Sequence, residues 1–240
     1  MPRYGPQFGP DITFLGVPRC DLDEPGTYAD ADVVILGAPF DGGTSHRPGA
    51  RFGPMAIRMT DYLPHDGSRP SLALRTDGLV DLTVVDAGDV EMYSGDIEFG
   101  SLWGHGQPMR RLIELTEIGR RGLQECLTEA FVIAMDECDG VFLSVDIDVC
   151  DPGHAPGTGT PEPGGLTARE LLDSVRRICL ELPVVGVDIV EVSPPFDHAD
   201  ITAALANRVV LEALSAIARR RQDAHDGTVW DPTQPLLEGC

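Results

Sequence analysis

The sequence lacks the features that mark membrane proteins, secreted proteins and proteins with a structural zinc site. In its 240 residues no segment approaches the roughly 18 to 20 consecutive apolar residues that a membrane helix needs. Residues 1–18 contain no apolar stretch behind a basic start, so no secretory signal is predicted. These absences predict a cytoplasmic protein.

Paired cysteines are also missing. None of the six cysteines belongs to a Cys-x-x-Cys pair, which argues against a disulfide framework and against a structural zinc site. We therefore expect buried free thiols. The six positions are Cys20, Cys126, Cys138, Cys150, Cys179 and Cys240.

Positive charge is scarce. The chain has 18 Lys and Arg residues against 39 Asp and Glu residues, for a formal charge of −21. Such a field repels nucleic acid and anionic membrane surfaces, so neither is an expected partner. It attracts cationic small molecules and metal ions, although acidity that serves only solubility is the simpler explanation.

Short apolar runs alternate with helical patterns along the whole chain, and no repeat of solenoid length interrupts them. This alternation predicts a single α/β domain over residues 1–240 with a parallel sheet. Nearly continuous Val, Ile and Leu predicts strands that are buried on both faces. The strands are expected at 33–38, 82–87, 141–149 and 184–192, and the helices at 54–63, 106–114, 122–135, 168–182 and 201–221.

Two acidic residues stand out within the third apolar run. Asp146 and Asp148 are two positions apart, so on a strand their carboxylates project from the same face. Two such acids on a buried strand need a cation or a shared proton, and their hard oxygen atoms suit Mn²⁺ or Mg²⁺. The alternative is structural, with one Asp capping a loop and the other meeting an Arg.

A loop rich in Pro and Gly follows this strand at residues 151–165 and is suited to form one wall of an active site. Its His154 is either a metal ligand or an exposed loop histidine, and the second interpretation is favoured. Thr167 and Glu170 form a capping box that predicts the start of the next helix.

Four motifs resemble those of the ureohydrolase family, which comprises arginases, agmatinases and guanidinobutyrases. The segment S-V-D-I-D-x-x-D-P with A-P-G-T-G-T-P-E-P-G-G-L resembles the family signature, and residues 37–58 resemble the opening motif of the agmatinase branch. Residues 187–194 resemble the strand that carries the substrate-binding glutamate. His105-Gly-Gln-Pro resembles the loop that carries the catalytic histidine.

The resemblance implies a three-layer α/β/α sandwich and a homo-oligomeric protein. It also implies two Mn²⁺ ions that lower the pKa of bound water. The implied reaction is hydrolysis of a guanidino compound, agmatine or a guanidino acid, to urea and an amine. Asp146 and Asp148 would be metal ligands, Glu191 would hold the guanidinium group by a bidentate contact, and His105 would carry a proton to the leaving amine.

Three further residues lie near these motifs. Asp188 shares the strand that leads to Glu191, and we interpret it as structural. His46 and Arg47 follow the first strand, and we interpret them as structural residues or as part of the substrate rim.

Two metal-ligand motifs of the family, G-G-D-H and D-A-H-x-D, do not occur in the sequence. The flanking segments indicate internal deletions near 95–98 and 114–117, and therefore fewer strands than in typical members. Three acids, Asp86, Asp89 and Asp96, are candidate replacement ligands. The resemblance thus leaves two hypotheses, a metal-dependent hydrolase and a catalytically inactive relative, while a hydrolase of the related deacetylase fold is a third that the motifs disfavour.

Overall fold

Four strands and five α-helices make up the part of the fold that is described, residues 12–44, 46–60, 70–91 and 118–227 of a computed structural model. All four strands begin within two residues of their predicted starts. The predicted helix at 106–114 and both expected deletion points lie outside the described residues. The strands are β1 (Val33–Gly37), β2 (Val84–Asp89), β3 (Val141–Asp146) and β4 (Val184–Val190), and the helices are α1 (Gly53–Met59), α2 (Gly78–Asp81), α3 (Leu123–Ala134), α4 (Ala168–Glu181) and α5 (Ile201–Asp226).

The strands pair in parallel, as predicted. Strand β1 pairs with β2, with Val33 opposite Val84, and β3 pairs with β4, with Asp146 opposite Val190. Within the described ranges these are two separate two-stranded sheets. The expected loss of strands from the middle of the sheet stays a prediction, since residues 92–117 lie outside the described ranges.

Helix α5 is the centre of the core. One stripe of its side chains, which includes Val209 and Ala213, packs into an apolar cluster with α4 and the β3–β4 pair. A second stripe, which includes Leu211 and Leu214, packs into a cluster with Phe14 and the β1–β2 pair. Because the two stripes repeat at helical spacing on different sides, one helix serves both halves of the protein.

The expectation that no segment is apolar enough to span a membrane needs a correction at α5. Ile201–Asp226 is long and apolar enough by composition, with a mean hydropathy of 1.5 in its most apolar window. However, 72% of that window is buried inside the protein. The helix is apolar because elements of the protein surround it.

The prediction that the strands are buried on both faces is confirmed for β2, where Val84 and Val85 are 5% and 6% exposed, and is wrong for the other three strands. Val34 and Leu36 on β1 are 39% and 48% exposed, Phe142 on β3 is 63% exposed, and Val185 on β4 is 80% exposed. Their neighbours along each strand, such as Ile35 and Leu143, contact the α5 clusters. The described helices therefore pack on one face, and the apolar runs alternate between covered and uncovered positions.

Helix α4 begins as the sequence predicts. The hydroxyl of Thr167 accepts a hydrogen bond from the backbone N–H of Glu170, and the Glu170 carboxylate accepts one from the backbone N–H of Thr167. This reciprocal pair satisfies two N–H groups that would otherwise lack partners at the helix start.

The cysteine prediction is confirmed in part. All five cysteines in the described ranges are free, and Cys20, Cys150 and Cys179 are buried. Burial raises the pKa of Cys150 and of Cys179 to about 12, so neither is a reactive thiolate. Cys138, however, is exposed in the turn before β3, where the expectation of burial is wrong.

A buried ion pair ties α1 to β2. The Arg58 guanidinium, 4% exposed, donates from Nε and Nη2 to the two carboxylate oxygens of Asp86 at 2.9 Å each, and Asp86 is fully buried. It also donates from Nη1 to Asp89 and from Nη2 to the carbonyl of Gly88 at 3.0 Å. Burial alone would lower the pKa of Arg58, but the two carboxylates outweigh it and raise the pKa.

Replacing Arg58 with Met is expected to lower the free energy of unfolding by about 3 to 5 kcal/mol, because it leaves the buried Asp86 carboxylate without its counter-ion. Arg169→Met is the control, since Arg169 is 71% exposed and its 3.5 Å pair with Asp173 should contribute less than about 1 kcal/mol. Urea unfolding measures both. Equal losses in the two variants would contradict the role given to Arg58.

Candidate functional site

The carboxyl ends of β3 and β4 bring the predicted site residues to one edge. Asp146 is the last residue of β3 and lies opposite Val190, the last residue of β4. Glu191 follows directly. Because the two strands are parallel neighbours, the acidic residues predicted to bind metal and substrate emerge at the same end of the sheet.

Asp146 and Asp148 do not share a strand face, which corrects the expectation. Strand β3 ends at Asp146, and residues Ile147–Val149 form a 3-10 turn. The Asp146 carboxylate caps this turn by accepting a hydrogen bond from the backbone N–H of Asp148 at 3.1 Å. The Asp146 carboxylate therefore stabilises the turn that positions Asp148. This is the structural, loop-capping role predicted from the sequence as the alternative to metal binding.

Asp148 accepts a hydrogen bond from the glycine-rich loop. Its side chain is 6% exposed, and its Oδ2 atom accepts a hydrogen bond from the hydroxyl of Thr160 at 2.5 Å. Thr160 was not singled out from the sequence. The Gly-Thr-Gly-Thr stretch in which it lies was visible only as part of the loop, and its contact with Asp148 depends on how that loop folds back.

Glu191 occupies a strained backbone position beside the same loop. Its φ is +63°, in the left-handed region that side chains other than glycine rarely adopt. Such a conformation costs on the order of 1 kcal/mol or more and is found most often at functional sites. The chain is fixed two residues later, where the backbone N–H of Ser193 donates to the carbonyl of Gly157 at 2.7 Å.

Gly159 connects the loop to Glu191 and to the rim. A Cβ atom at Gly159 would lie 3.0 Å from the carbonyl oxygen of Arg47 and 3.4 Å from Oε2 of Glu191. The absence of a side chain at Gly159 therefore leaves room next to the Glu191 carboxylate. Glu191 as a whole is partly exposed.

The rim is formed by the loop after β1, and a buried carboxylate organises it. Asp41 accepts hydrogen bonds from the backbone N–H groups of Gly49 at 2.7 Å and Arg51 at 3.3 Å, and from Nε of Arg51 at 2.6 Å. The exposed Arg47 stacks its guanidinium 5.2 Å from the centre of the Phe196 ring. His46 is exposed in the same loop.

Several candidate residues play no part in this edge. Asp86 and Asp89 are held by Arg58, so the hypothesis that they replace missing metal ligands is wrong. His154 is exposed, as expected for a loop histidine. His105 and Asp96 lie outside the described residues.

The Asp188 side chain does not fit the structural role predicted for it. One of its carboxylate oxygens, Oδ1, is buried and has no hydrogen-bond partner among the described residues. A structural aspartate would be expected to have both oxygens satisfied.

The described residues do not complete a manganese site by themselves. No group of three or more His, Cys, Asp or Glu side chains in the described ranges comes together in a geometry that could hold a metal ion. Asp146 and Asp148 supply hard oxygen donors of the right chemistry, but each already accepts a hydrogen bond from the protein. We therefore assign no reaction step to a metal.

Parallel strands with acidic side chains gathered at their carboxyl ends define an α/β protein with an acidic strand edge. Residues 31–102 and 105–216 match the model of the arginase family. The chain belongs to this family, also called the ureohydrolases, and the sequence-based prediction of the family and of its α/β fold class is confirmed.

Individual relatives agree with this family assignment. Proclavaminate amidinohydrolase of Streptomyces clavuligerus is 32% identical over 311 residues, covering 90% of this chain and 96% of that protein, and its solved structure superposes with a TM-score of 0.73 at 27% identity, over 90% and 100% of the two chains. Agmatinase of Bacillus anthracis is 29% identical, over 78% of this chain and 92% of its own length. Formiminoglutamase of Trypanosoma cruzi, solved with Mn²⁺, shares the fold with a TM-score of 0.64 at 19% identity, over 80% and 95% of the chains.

The length of the first alignment shows how this chain differs from its relatives. It extends over 311 positions, whereas the chain has 240 residues. The relative therefore carries many residues that have no counterpart here, in agreement with the predicted shortening.

Asp41 should make the rim sensitive to acid. The Arg51 hydrogen bond, assisted by the backbone N–H groups, lowers the pKa of Asp41 below its ordinary value of 3.8. Its contribution to stability is therefore present above pH 3.8 and is lost as the pH falls through the lower pKa of the folded state.

We expect Asp41→Asn to lower the free energy of unfolding by about 1 to 3 kcal/mol at pH 7, and by less at pH 3. Urea unfolding at the two pH values measures the difference. Asp23→Asn, at an exposed position, is the control. A cost for Asp41→Asn that did not change with pH would contradict the charge-based account.

Proposed function

We propose that this chain hydrolyses a cationic guanidino compound, agmatine or a guanidino acid, to urea and an amine. The observation that carries the proposal is the acidic edge where Asp146, Asp148 and Glu191 emerge together from β3 and β4. Membership of the arginase family and the names of the relatives support it.

Glu191 is the proposed receptor for the guanidinium group. A carboxylate and a guanidinium form two parallel hydrogen bonds in one plane, which fixes the orientation of the substrate. A Cβ atom at Gly159 would lie 3.4 Å from Oε2 of Glu191, so the missing side chain leaves space beside the carboxylate. The formal charge of −21 favours the approach of a cation.

The proposal also includes manganese and a role for His105, and both are based on membership of the arginase family. We propose Asp146 and Asp148 as two ligands of Mn²⁺, an ion that would supply an activated water when bound. Any further ligand would come from outside the described residues. His105 is the proposed proton carrier, and a cytoplasmic homo-oligomer is the proposed state of the protein.

A second candidate function is recognition of a guanidino compound without hydrolysis. The lack of a three-donor metal group in the described part of the chain favours it. In this case Glu191 still binds the guanidinium group, and Asp146 and Asp148 only stabilise the turn and the loop that follow β3. The two candidates differ in metal content and in urea release.

Glu191→Gln should weaken the binding of agmatine by about tenfold or more, because a neutral amide loses the charge-assisted pair. Isothermal titration calorimetry without added metal measures binding independently of catalysis. Glu162→Gln is the matched control, since Glu162 is an exposed acid in the glycine-rich loop. Equal affinity of the Glu191→Gln variant and the parent protein would exclude Glu191 as the receptor.

Metal content separates hydrolysis from recognition alone. After loading with Mn²⁺ and removal of the excess, hydrolysis predicts two ions per chain, urea release, and loss of both in Asp148→Asn. Recognition alone predicts one ion or none and no urea. Urea release by Asp148→Asn at the parental rate would show that the metal assignment is wrong.

A further inference from the structure

A cleft separates the two sheets. It has a volume of about 690 Å³, and its walls are β1 on one side and β4 on the other. The other edges of these strands are occupied, since β1 pairs with β2 and β4 pairs with β3. Within the described ranges, the edges of β1 and β4 that line the cleft have no strand partner.

The two walls run in the same direction. At the carboxyl end of β1, a Cβ atom at Gly37 would lie 2.9 Å from Cβ of Pro54. The adjacent Gly53 approaches the carboxyl end of β4, where its Cβ position lies 2.6 Å from the carbonyl oxygen of Val192. The start of α1 thus connects the carboxyl ends of both strands across one end of the cleft.

The walls and the floor are apolar. Val34, Leu36 and Val185 line the walls and are between 39% and 80% exposed, while Ile57 of α1 and Ile217 of α5 contribute to the floor. Exposed apolar strands with unpaired backbone edges are templates for the addition of another strand. A compact apolar ligand would cover the side chains but leave the backbone groups of both edges unpaired.

The size of the cleft suits one short strand. A strand residue takes up roughly 3.3 Å along the strand, 4.8 Å between strands and 10 Å between layers, or about 160 Å³. The cleft volume of about 690 Å³ therefore corresponds to roughly four residues. Strand β1, with five residues, has a similar length.

The charge around the cleft indicates the chemistry of that strand. Asp188 and Glu191 place carboxylates on the β4 wall, and a buried oxygen of Asp188 has no hydrogen-bond partner among the described residues. The cation in the lining, Arg58, is held by Asp86 and Asp89. A segment drawn from a second copy of the chain, which has 39 acidic against 18 basic residues, complements this acidic wall less well than a basic segment does.

We propose that this cleft binds an extended segment of another polypeptide, which adds as a β-strand between β1 and β4 and is parallel to both. The segment has an apolar core and is flanked by Lys or Arg residues. Its backbone pairs with the two free edges, its apolar side chains cover Val34, Leu36 and Val185, and its basic ends lie close to the acidic wall. This inference does not require hydrolysis, although a basic end of the segment would approach the same Glu191 that the hydrolytic proposal assigns to the guanidinium group.

The test is binding of a synthetic peptide with a five-residue Val/Thr core and two Lys residues at each end, measured by fluorescence anisotropy at low ionic strength. We expect saturable binding that weakens as salt is added. Leu36→Lys should lower the affinity by about tenfold or more, because it places a cation where the apolar core lies. Val132→Lys is the matched control, since Val132 is 72% exposed on α3 and does not line the cleft.

A second peptide separates strand pairing from simple apolar contact. The same sequence with N-methyl groups on alternate core residues keeps its side chains but loses backbone donors, and it should bind at least about tenfold more weakly. Far-ultraviolet circular dichroism and urea unfolding of Leu36→Lys establish that the variant is folded.

Three outcomes would overturn the proposal. Equal binding of the methylated peptide would mean that the cleft takes an apolar ligand rather than a strand. Equal loss in Val132→Lys would mean that charge alone governs binding. No binding by the parent protein, with or without self-association in sedimentation experiments, would mean that another polypeptide is not the occupant.

Discussion

The buried pair between Arg58 and Asp86 sets the geometry on which the amino-terminal half depends. Its guanidinium reaches two carboxylates and a backbone carbonyl, and Asp86 also accepts hydrogen bonds from the N–H groups of Phe14 and Gly88. One ion pair therefore joins the first described segment, α1 and β2. Since α1 begins at the residues that contact both Gly37 and Val192, the pair also fixes where the two sheets meet.

The candidate site depends on a different kind of constraint. There the backbone turns sharply after each strand, at Asp146 through a side-chain cap and at Glu191 through a left-handed conformation. Gly159 lies beside the Glu191 carboxylate and the backbone carbonyl of Arg47. The acidic edge thus depends on chain direction at the strand ends, and the Thr160 hydroxyl of the glycine-rich loop helps to position Asp148.

Local patterns were sufficient to predict the elements. Continuous apolar runs located all four strands, and Thr167 with Glu170 located the start of α4, because these signals depend on neighbours in sequence. The family motifs likewise identified Asp146, Asp148 and Glu191 as candidates that the fold brings to one edge.

The remaining features depend on distant contacts. The capture of Asp86 and Asp89 by Arg58, 28 to 31 residues away, removes them as metal ligands, and no local pattern indicates that pairing. The early end of β3 depends on a side-chain hydrogen bond at Asp146. The exposed faces of β1 and β3 were missed because apolar composition reports what a strand prefers, whereas exposure depends on which layers are present to cover it.

Helix α5 has a consequence for how the chain can vary. With 26 residues it extends over roughly 39 Å, and its two apolar stripes, on different sides of the helix, pack against the β1–β2 half and the β3–β4 half. Among the described residues both halves are therefore joined to this one helix, and no strand pairing links them to each other. A change of chain length between β2 and α3 therefore leaves the α5 contacts with both halves in place, because the residues that make these contacts lie elsewhere in the sequence.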